Sequence, residues 1–231
     1  GTVTTAPAEP PIVRVLRERR AGPMGDGVPM PMPMPGFEGF FGPERLTYSH
    51  EYTHVLQDQN YDFEDGLNYN DESCEEDTER CAAVQSLIEG DASLTELNWF
   101  YENATADDQA QIMDFYQSYS SPVYDSAPAF MQQDFVFAYN YGLTFVQALY
   151  DEGGWEAVDA AYANVPVSTE QILHPERYPA DRPVPVNLPD LMPALGAGWR
   201  EVDRNVMGEW YTYLILGYGI DPATQIEDES A

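Results

Sequence analysis

The chain has no lysine and few basic residues of any kind. Its 231 residues include ten arginines but 40 aspartates and glutamates, for a formal net charge of −30. A surface this acidic repels nucleic acids and anionic membranes, so we expect neither as a partner. Acidic residues are spread along the whole chain. We interpret this composition as adaptation to molar salt in a halophile, because screening there acts over about 3 Å and self-repulsion costs little.

Long apolar runs are also missing, so we expect no membrane span. Because the chain begins at Gly1 without an initiator methionine, we expect that a targeting segment was removed or that a longer protein was cut here. The predicted location is outside the cell or at the cell surface. A hydrophobic fraction of 43% still allows one sizeable domain with its own core.

Cysteine is nearly absent, and its two copies are Cys74 and Cys81. Two thiols without C-x-x-C spacing make a poor zinc or redox motif. They are either buried free thiols or a local disulfide that joins a loop to the start of a helix. For an exported protein we favour the disulfide.

Three segments of different composition divide the chain. Residues 1–45 form an arm in which prolines at 29, 31, 33 and 35 alternate with methionines. This alternation favours extended backbone. Arg14, Arg17, Arg19 and Arg20 lie close together in this arm, which is either a basic segment lying on the acidic body or a linker. Residues 46–220 form the predicted domain, and 221–231 form an acidic tail.

Apolar spacing predicts a mainly α domain with little or no β-sheet before its first helix. Leu46, Tyr52, Val55 and Leu56 fit helical spacing in the first helix. A polar loop is predicted over 60–76, proline-containing connections over 120–133 and 179–198, and a capped turn over 170–173. Gly153 and Gly154 should break a helix. The predicted helices are 44–59, 77–103, 107–119, 134–150, 155–163 and 203–217.

Histidine is scarce, with three copies, yet two of them form the motif H-E-Y-T-H at His50 and His54. The i, i+4 spacing places both imidazoles on one face of a helix, close enough to share a metal ion. Glu51 lies about 100° around the helix from His50, which lets it reach a water bound to that metal. The alternative is a pair of histidines on a solvated helix face.

A catalytic zinc ion needs a third protein ligand. Glu89 is flanked by Leu87 and Ile88 in a helical stretch, where a buried carboxylate requires a partner. Asp91 is the competing ligand, or a residue that orients a histidine. His174, the remaining histidine, follows a turn. We prefer Glu89.

The segments H-E-Y-T-H-V-L-Q-D-Q and L-I-E-G-D-A, together with Y-G-L-T-F-V-Q-A-L-Y-D-E-G-G-W and S-T-E-Q-I-L-H-P-E-R-Y, resemble gluzincin-type zinc metallopeptidases. The resemblance covers about residues 46–217. It implies a zincin-like domain with an active-site helix and a following glutamate helix. It also implies Zn²⁺ held by His50, His54 and Glu89, and a peptide or protein substrate.

The resemblance implies hydrolysis of peptide bonds by a zinc-activated water, with Glu51 as general base and acid. A further donor must stabilise the negative charge on the carbonyl oxygen. The candidates are Tyr139, Tyr141 and His174. His174 is preferred and Tyr141 follows, although either residue can also have a packing role.

The segment before the H-E-Y-T-H helix differs from the pattern of this family. Zincin-type peptidases usually hold an extended substrate against a strand that precedes the H-E-x-x-H helix, and here that region is V-P-M-P-M-P-M-P-G. Proline cannot donate ladder hydrogen bonds, so a proline-rich segment makes a poor edge strand for pairing with a substrate. The alternative function is therefore an inactive zincin-like scaffold that holds zinc structurally or binds peptides without cutting them.

Overall fold

The structure, a computed structural model, describes residues 39–218. Most of the predicted arm and the whole acidic tail lie outside these residues. Within 39–218 all regular elements are helical and no strand occurs, which confirms the mainly α prediction. The α-helices are α1 Gly42–Tyr61, α2 Asp71–Glu76, α3 Thr78–Glu102, α4 Ala106–Ser118, α5 Pro122–Ser126, α6 Ala129–Tyr162, α7 Thr169–Leu173, α8 Met192–Leu195 and α9 Glu209–Tyr218.

The core surrounds α3, which packs against α6 on one side and against α1 on the other. The larger apolar cluster joins α3, α6, α7 and α9, and contains Val84, Leu87, Phe145, Ile172 and Trp210. A smaller cluster joins α1, α3 and α4, and contains Leu46, Leu97, Phe100 and Ile112. Burial of these side chains supplies the main driving force for the fold.

Backbone contact between α3 and α6 depends on two glycines. A Cβ atom added to Gly90 would overlap the carbonyl of Gly142, and one added to Gly142 would overlap the carbonyl of Ser86. The helices therefore cross more closely than any larger side chain permits. Gly90 follows Glu89 directly, so this crossing also fixes how far Glu89 lies from α6.

The first helix confirms its predicted position, and the side that it turns to the core is largely polar. Leu46 is buried at 1% exposure, whereas Tyr52, Val55 and Leu56 are 42–47% exposed. The buried face instead continues through polar residues, His50 and Gln57. The face of α1 that meets α3 thus carries a polar cluster rather than these three apolar side chains.

Two predicted connections contain short helices. The 60–76 segment ends in α2, where the Asn70 side chain accepts a hydrogen bond from the Ser73 amide and caps the helix. The 120–133 connection contains α5 and the first turn of α6. Helices α2 and α5 lack a long apolar face, so the periodicity of apolar residues did not reveal them. The predicted break at Gly153 and Gly154 is confirmed, since both have non-helical backbone angles inside α6.

The last helix begins at Glu209, six residues later than predicted. Residues 203–208 are not helical. The Asn205 amide oxygen accepts a hydrogen bond from the Thr78 amide, and its NH₂ group donates to the Glu75 carbonyl. These contacts hold the non-helical segment against the end of α2 and the start of α3.

The Cys74–Cys81 disulfide is present and joins α2 to the first turn of α3. This confirms the favoured interpretation of the two cysteines. Among residues 39–218, none of the helices combines the length and the apolar character needed to span a bilayer.

Candidate functional site

Helix α1 places His50 and His54 on the side that faces α3. Their rings meet edge to face with centroids 4.7 Å apart, and their Nε2 atoms lie 3.1 Å apart. The i, i+4 spacing produces this arrangement directly, because four residues advance a helix by slightly more than one turn. Both side chains are at least half-buried, so the pair is not on a solvated face as the alternative required.

Glu89, on α3, completes a group of three. Its Oε2 atom lies 3.2 Å from Nε2 of His50 and 3.3 Å from Nε2 of His54. Zinc binds such atoms at about 2.0–2.2 Å, so two ligands of a tetrahedral site lie about 3.3 Å or slightly more apart. Two imidazole nitrogens and one carboxylate oxygen at this spacing fit a zinc ion with one open position. Among the described residues, this group is the one with metal-binding geometry.

A second carboxylate on α3 orients His50. Oε2 of Glu96 lies 3.1 Å from Nδ1 of His50, so Nδ1–H donates to it and leaves Nε2 free to bind a metal ion. Glu96 follows Glu89 by seven residues, or two helical turns, and shares its face. Sequence reasoning missed Glu96, although the i, i+7 spacing from Glu89 was the available signal.

A buried polar chain orients His54. Nδ1 of His54 lies 2.8 Å from Oε1 of Gln57, whose NH₂ group donates to Asp91 at 2.8 Å and to the carbonyl of Ile88 at 3.0 Å. The hydroxyl of Tyr162 also donates to Asp91, at 2.7 Å. Asp91 thus acts on His54 through Gln57 and does not join the three-residue group. Gln57 was not predicted.

Hydrogen bonds within this group shift the pKa values of His50 and Glu89 in opposite directions. Burial alone lowers the pKa of His50, but hydrogen bonds to Glu89 and Glu96 outweigh it and raise that pKa to about 9. Burial raises the pKa of Glu89, and the hydrogen bonds from the two histidines outweigh it and lower that pKa to about 2. A proton on His50 thus balances the carboxylate, and a bound cation would take its place.

We expect Glu96→Ala to weaken zinc binding by about 10- to 100-fold, the loss typical when a residue that orients a metal ligand is removed. Glu96→Gln should recover part of this loss, because an amide oxygen still accepts from Nδ1–H. Zinc affinity is measured by competition with a chromophoric chelator, and circular dichroism checks the helices. Glu102→Ala, an exposed site on the same helix, is the matched control. Equal affinity in Glu96→Ala and Glu102→Ala would contradict this role.

Glu51 is exposed and lies between two cavities, both of which it lines. One has a volume of about 470 Å³ and is also bordered by His50, Glu96 and Tyr139. The other has about 1010 Å³ and is bordered by His54 and several carboxylates. Glu51 thus faces open space beside both histidines, where a ligand can reach it.

Of the three predicted donors, the structure brings Tyr139 to the group. Its ring lies 6.3 Å from that of His50. Burial, the negative charge of Glu89 and a hydrogen bond to that carboxylate raise the pKa of Tyr139 to about 12. The hydroxyl therefore stays protonated.

The two preferred donors have other partners. Tyr141 lies two residues, or 200°, around α6 from Tyr139 and packs on Phe137 and Trp210 in the larger core cluster. Nε2 of His174 lies 3.1 Å from Glu209 on α9. We therefore replace His174 and Tyr141 by Tyr139 as the candidate donor.

No protein-family model, curated protein or solved structure matches this chain.

Proposed function

We propose that this chain is a zinc-dependent peptidase with a zincin-like helical domain. The observation that carries the proposal is the spacing of the three ligand atoms, 3.1, 3.2 and 3.3 Å apart, beside an exposed glutamate. His50, His54 and Glu89 would hold the ion. Glu96 and Gln57 hold the two histidines in the required tautomers. Open cavities on both sides of Glu51 give a peptide access to the site.

Each residue then has a role in hydrolysis of an amide bond. A zinc ion, when bound, supplies a Lewis acid that polarises the carbonyl and lowers the pKa of a water molecule. Glu51 accepts a proton from the attacking water and delivers it to the leaving amine. With Glu89 engaged by the ion, the hydroxyl of Tyr139 would donate its hydrogen bond to the carbonyl oxygen as negative charge develops there.

Metal removal tests the proposal. Protein purified in molar salt should contain one zinc ion per chain, and chelation should abolish cleavage of an unstructured protein such as casein. Added zinc should restore cleavage, because the ligand residues are already in place. Absence of zinc after reconstitution, or cleavage that persists in the chelator, would overturn the proposal.

An inactive zincin-like scaffold is the second candidate. Residues 39–218 contain no strand on which an extended substrate could form ladder hydrogen bonds, and this favours binding without efficient cleavage. Such a scaffold would lose thermal stability on chelation and would cut no peptide in molar salt. Specific cleavage that chelation stops would exclude it.

We also infer an extracellular or cell-surface location in molar salt. The disulfide is typical of exported proteins, and the net charge of −30 is tolerable where salt screens it. Raising KCl from 0.1 M to 2 M should therefore raise the melting temperature by about 10 °C, the shift that about 3 kcal/mol produces in a chain of this size. A melting temperature independent of KCl would contradict adaptation to salt.

A further inference from the structure

The smaller cavity beside Glu51 has an aromatic and aliphatic wall. Its floor is formed by Leu97 and Tyr116, and its rim by Tyr119 and Phe135, which are 59% and 70% exposed. Three elements contribute these residues, namely α3, the C-terminal end of α4 and α6. Exposed aromatic side chains beside a candidate catalytic residue are typical of a binding surface.

This apolar wall is continuous with the proposed site. His50, Glu51, Glu96 and Tyr139 all border the same cavity. The one carboxylate of this border besides Glu51 is Glu96, and His50 already engages it. The volume of about 470 Å³ lies within the range of ligand sites and accommodates a large side chain with its backbone.

The cavity on the opposite side of Glu51 has the reverse character. Its border includes Asp58, Glu64, Asp65, Asp71 and Glu72, and none of the bordering residues is an arginine. An acidic substrate residue placed there would meet like charges, whereas a neutral or basic residue would not. A peptide across the site thus experiences an apolar environment on one side and a negative potential on the other.

We propose that the cavity bordered by Tyr119 and Phe135 selects a large apolar or aromatic side chain next to the bond that is cut. This inference rests on the proposed function and adds its specificity. The residues on the other side of the bond are neutral or basic. Tyr119 and Phe135 act as specificity determinants, since they contact the substrate side chain away from the reacting atoms.

Binding to the zinc-loaded Glu51→Gln variant tests the selection without requiring cleavage. The probes are fluorescein-labelled octapeptides of glycine, serine and glutamine that carry one central Phe, Leu, Ala or Asp. We expect the Phe probe to bind about tenfold more tightly than the Ala probe, as one buried aromatic contact allows, and the Asp probe to bind most weakly. Phe135→Ala or Tyr119→Ala in this background should reduce the tenfold preference to threefold or less. Phe130→Ala, an exposed phenylalanine on the same helix but outside the cavity border, should leave it unchanged.

Cleavage by the unmodified protein separates this inference from the proposed function. Mass spectrometry of the digested probes should place every cut next to Phe or Leu. Cleavage that does not depend on the side chain would overturn the proposed selection, but the proposed peptidase activity would remain supported. A Phe preference in binding that Phe135→Ala removes, without cleavage of any probe, would support the cavity and overturn the peptidase. Equal binding of all probes to the Glu51→Gln variant would overturn the selection in either case.

Discussion

Glu51→Gln should lose peptide hydrolysis by about 10²- to 10⁴-fold and still contain one zinc ion per chain. Glutamine has nearly the same shape as glutamate, but its amide cannot accept the proton of the attacking water. Glu51 is exposed and is not one of the three ligand residues, so neither folding nor metal binding should change. The measurement is kcat on a casein-derived peptide in molar salt, with zinc content by elemental analysis.

The matched control for Glu51 is Glu156→Gln, an exposed carboxylate on α6 that borders neither cavity. Its kcat should stay within twofold of the parent protein. If Glu51→Gln keeps the parent's kcat with zinc bound, Glu51 is not the general base and the proposed mechanism is wrong. A loss of zinc in Glu51→Gln would show instead that Glu51 takes part in holding the ion.

Glu89→Ala should weaken zinc binding by more than 100-fold, a larger loss than the 10- to 100-fold typical of residues that only orient a ligand. The variant removes one of three ligands and also the negative charge that balances the ion. Two histidines at i, i+4 would remain, and such a pair is a weaker site than three ligands with a carboxylate. Competition with a chromophoric chelator measures the affinity at pH 8.

Asp91→Asn separates the two carboxylates that the sequence left in competition. Asp91 is 8% exposed and acts on His54 through Gln57, so its substitution should cost at most the 10- to 100-fold expected of an orienting residue. The order of the losses, with Glu89→Ala larger, is the expected result. The reverse order would assign the ligand role to Asp91.

Local sequence was sufficient for the helical elements of the site. The i, i+4 spacing of His50 and His54 depends only on helix geometry, and the structure confirms that the two Nε2 atoms meet. Glu89 was identified from its apolar neighbours, because a carboxylate in such a stretch requires a partner. The disulfide and the break at Gly153 and Gly154 were likewise predicted from short segments.

Contacts between distant segments could not be predicted from the sequence, because they depend on how the helices cross. Glu96 reaches His50, and Tyr139 rather than Tyr141 turns toward the group, only because α3 packs against both α1 and α6. The same packing leaves Val55 exposed. A helical pattern defines the faces of each helix, but not which face meets which neighbour.

The composition, the H-E-Y-T-H spacing and the candidate ligand Glu89 were therefore determined by the sequence itself, since each depends on residue type or on one helix. Tertiary structure decided the orienting residues, the candidate donor Tyr139 and the two cavities of opposite character. The close crossing at Gly90 and Gly142 brings α3 and α6 together beside the proposed site. Its physical reason is that two backbones approach this closely only where neither carries a Cβ atom at the crossing.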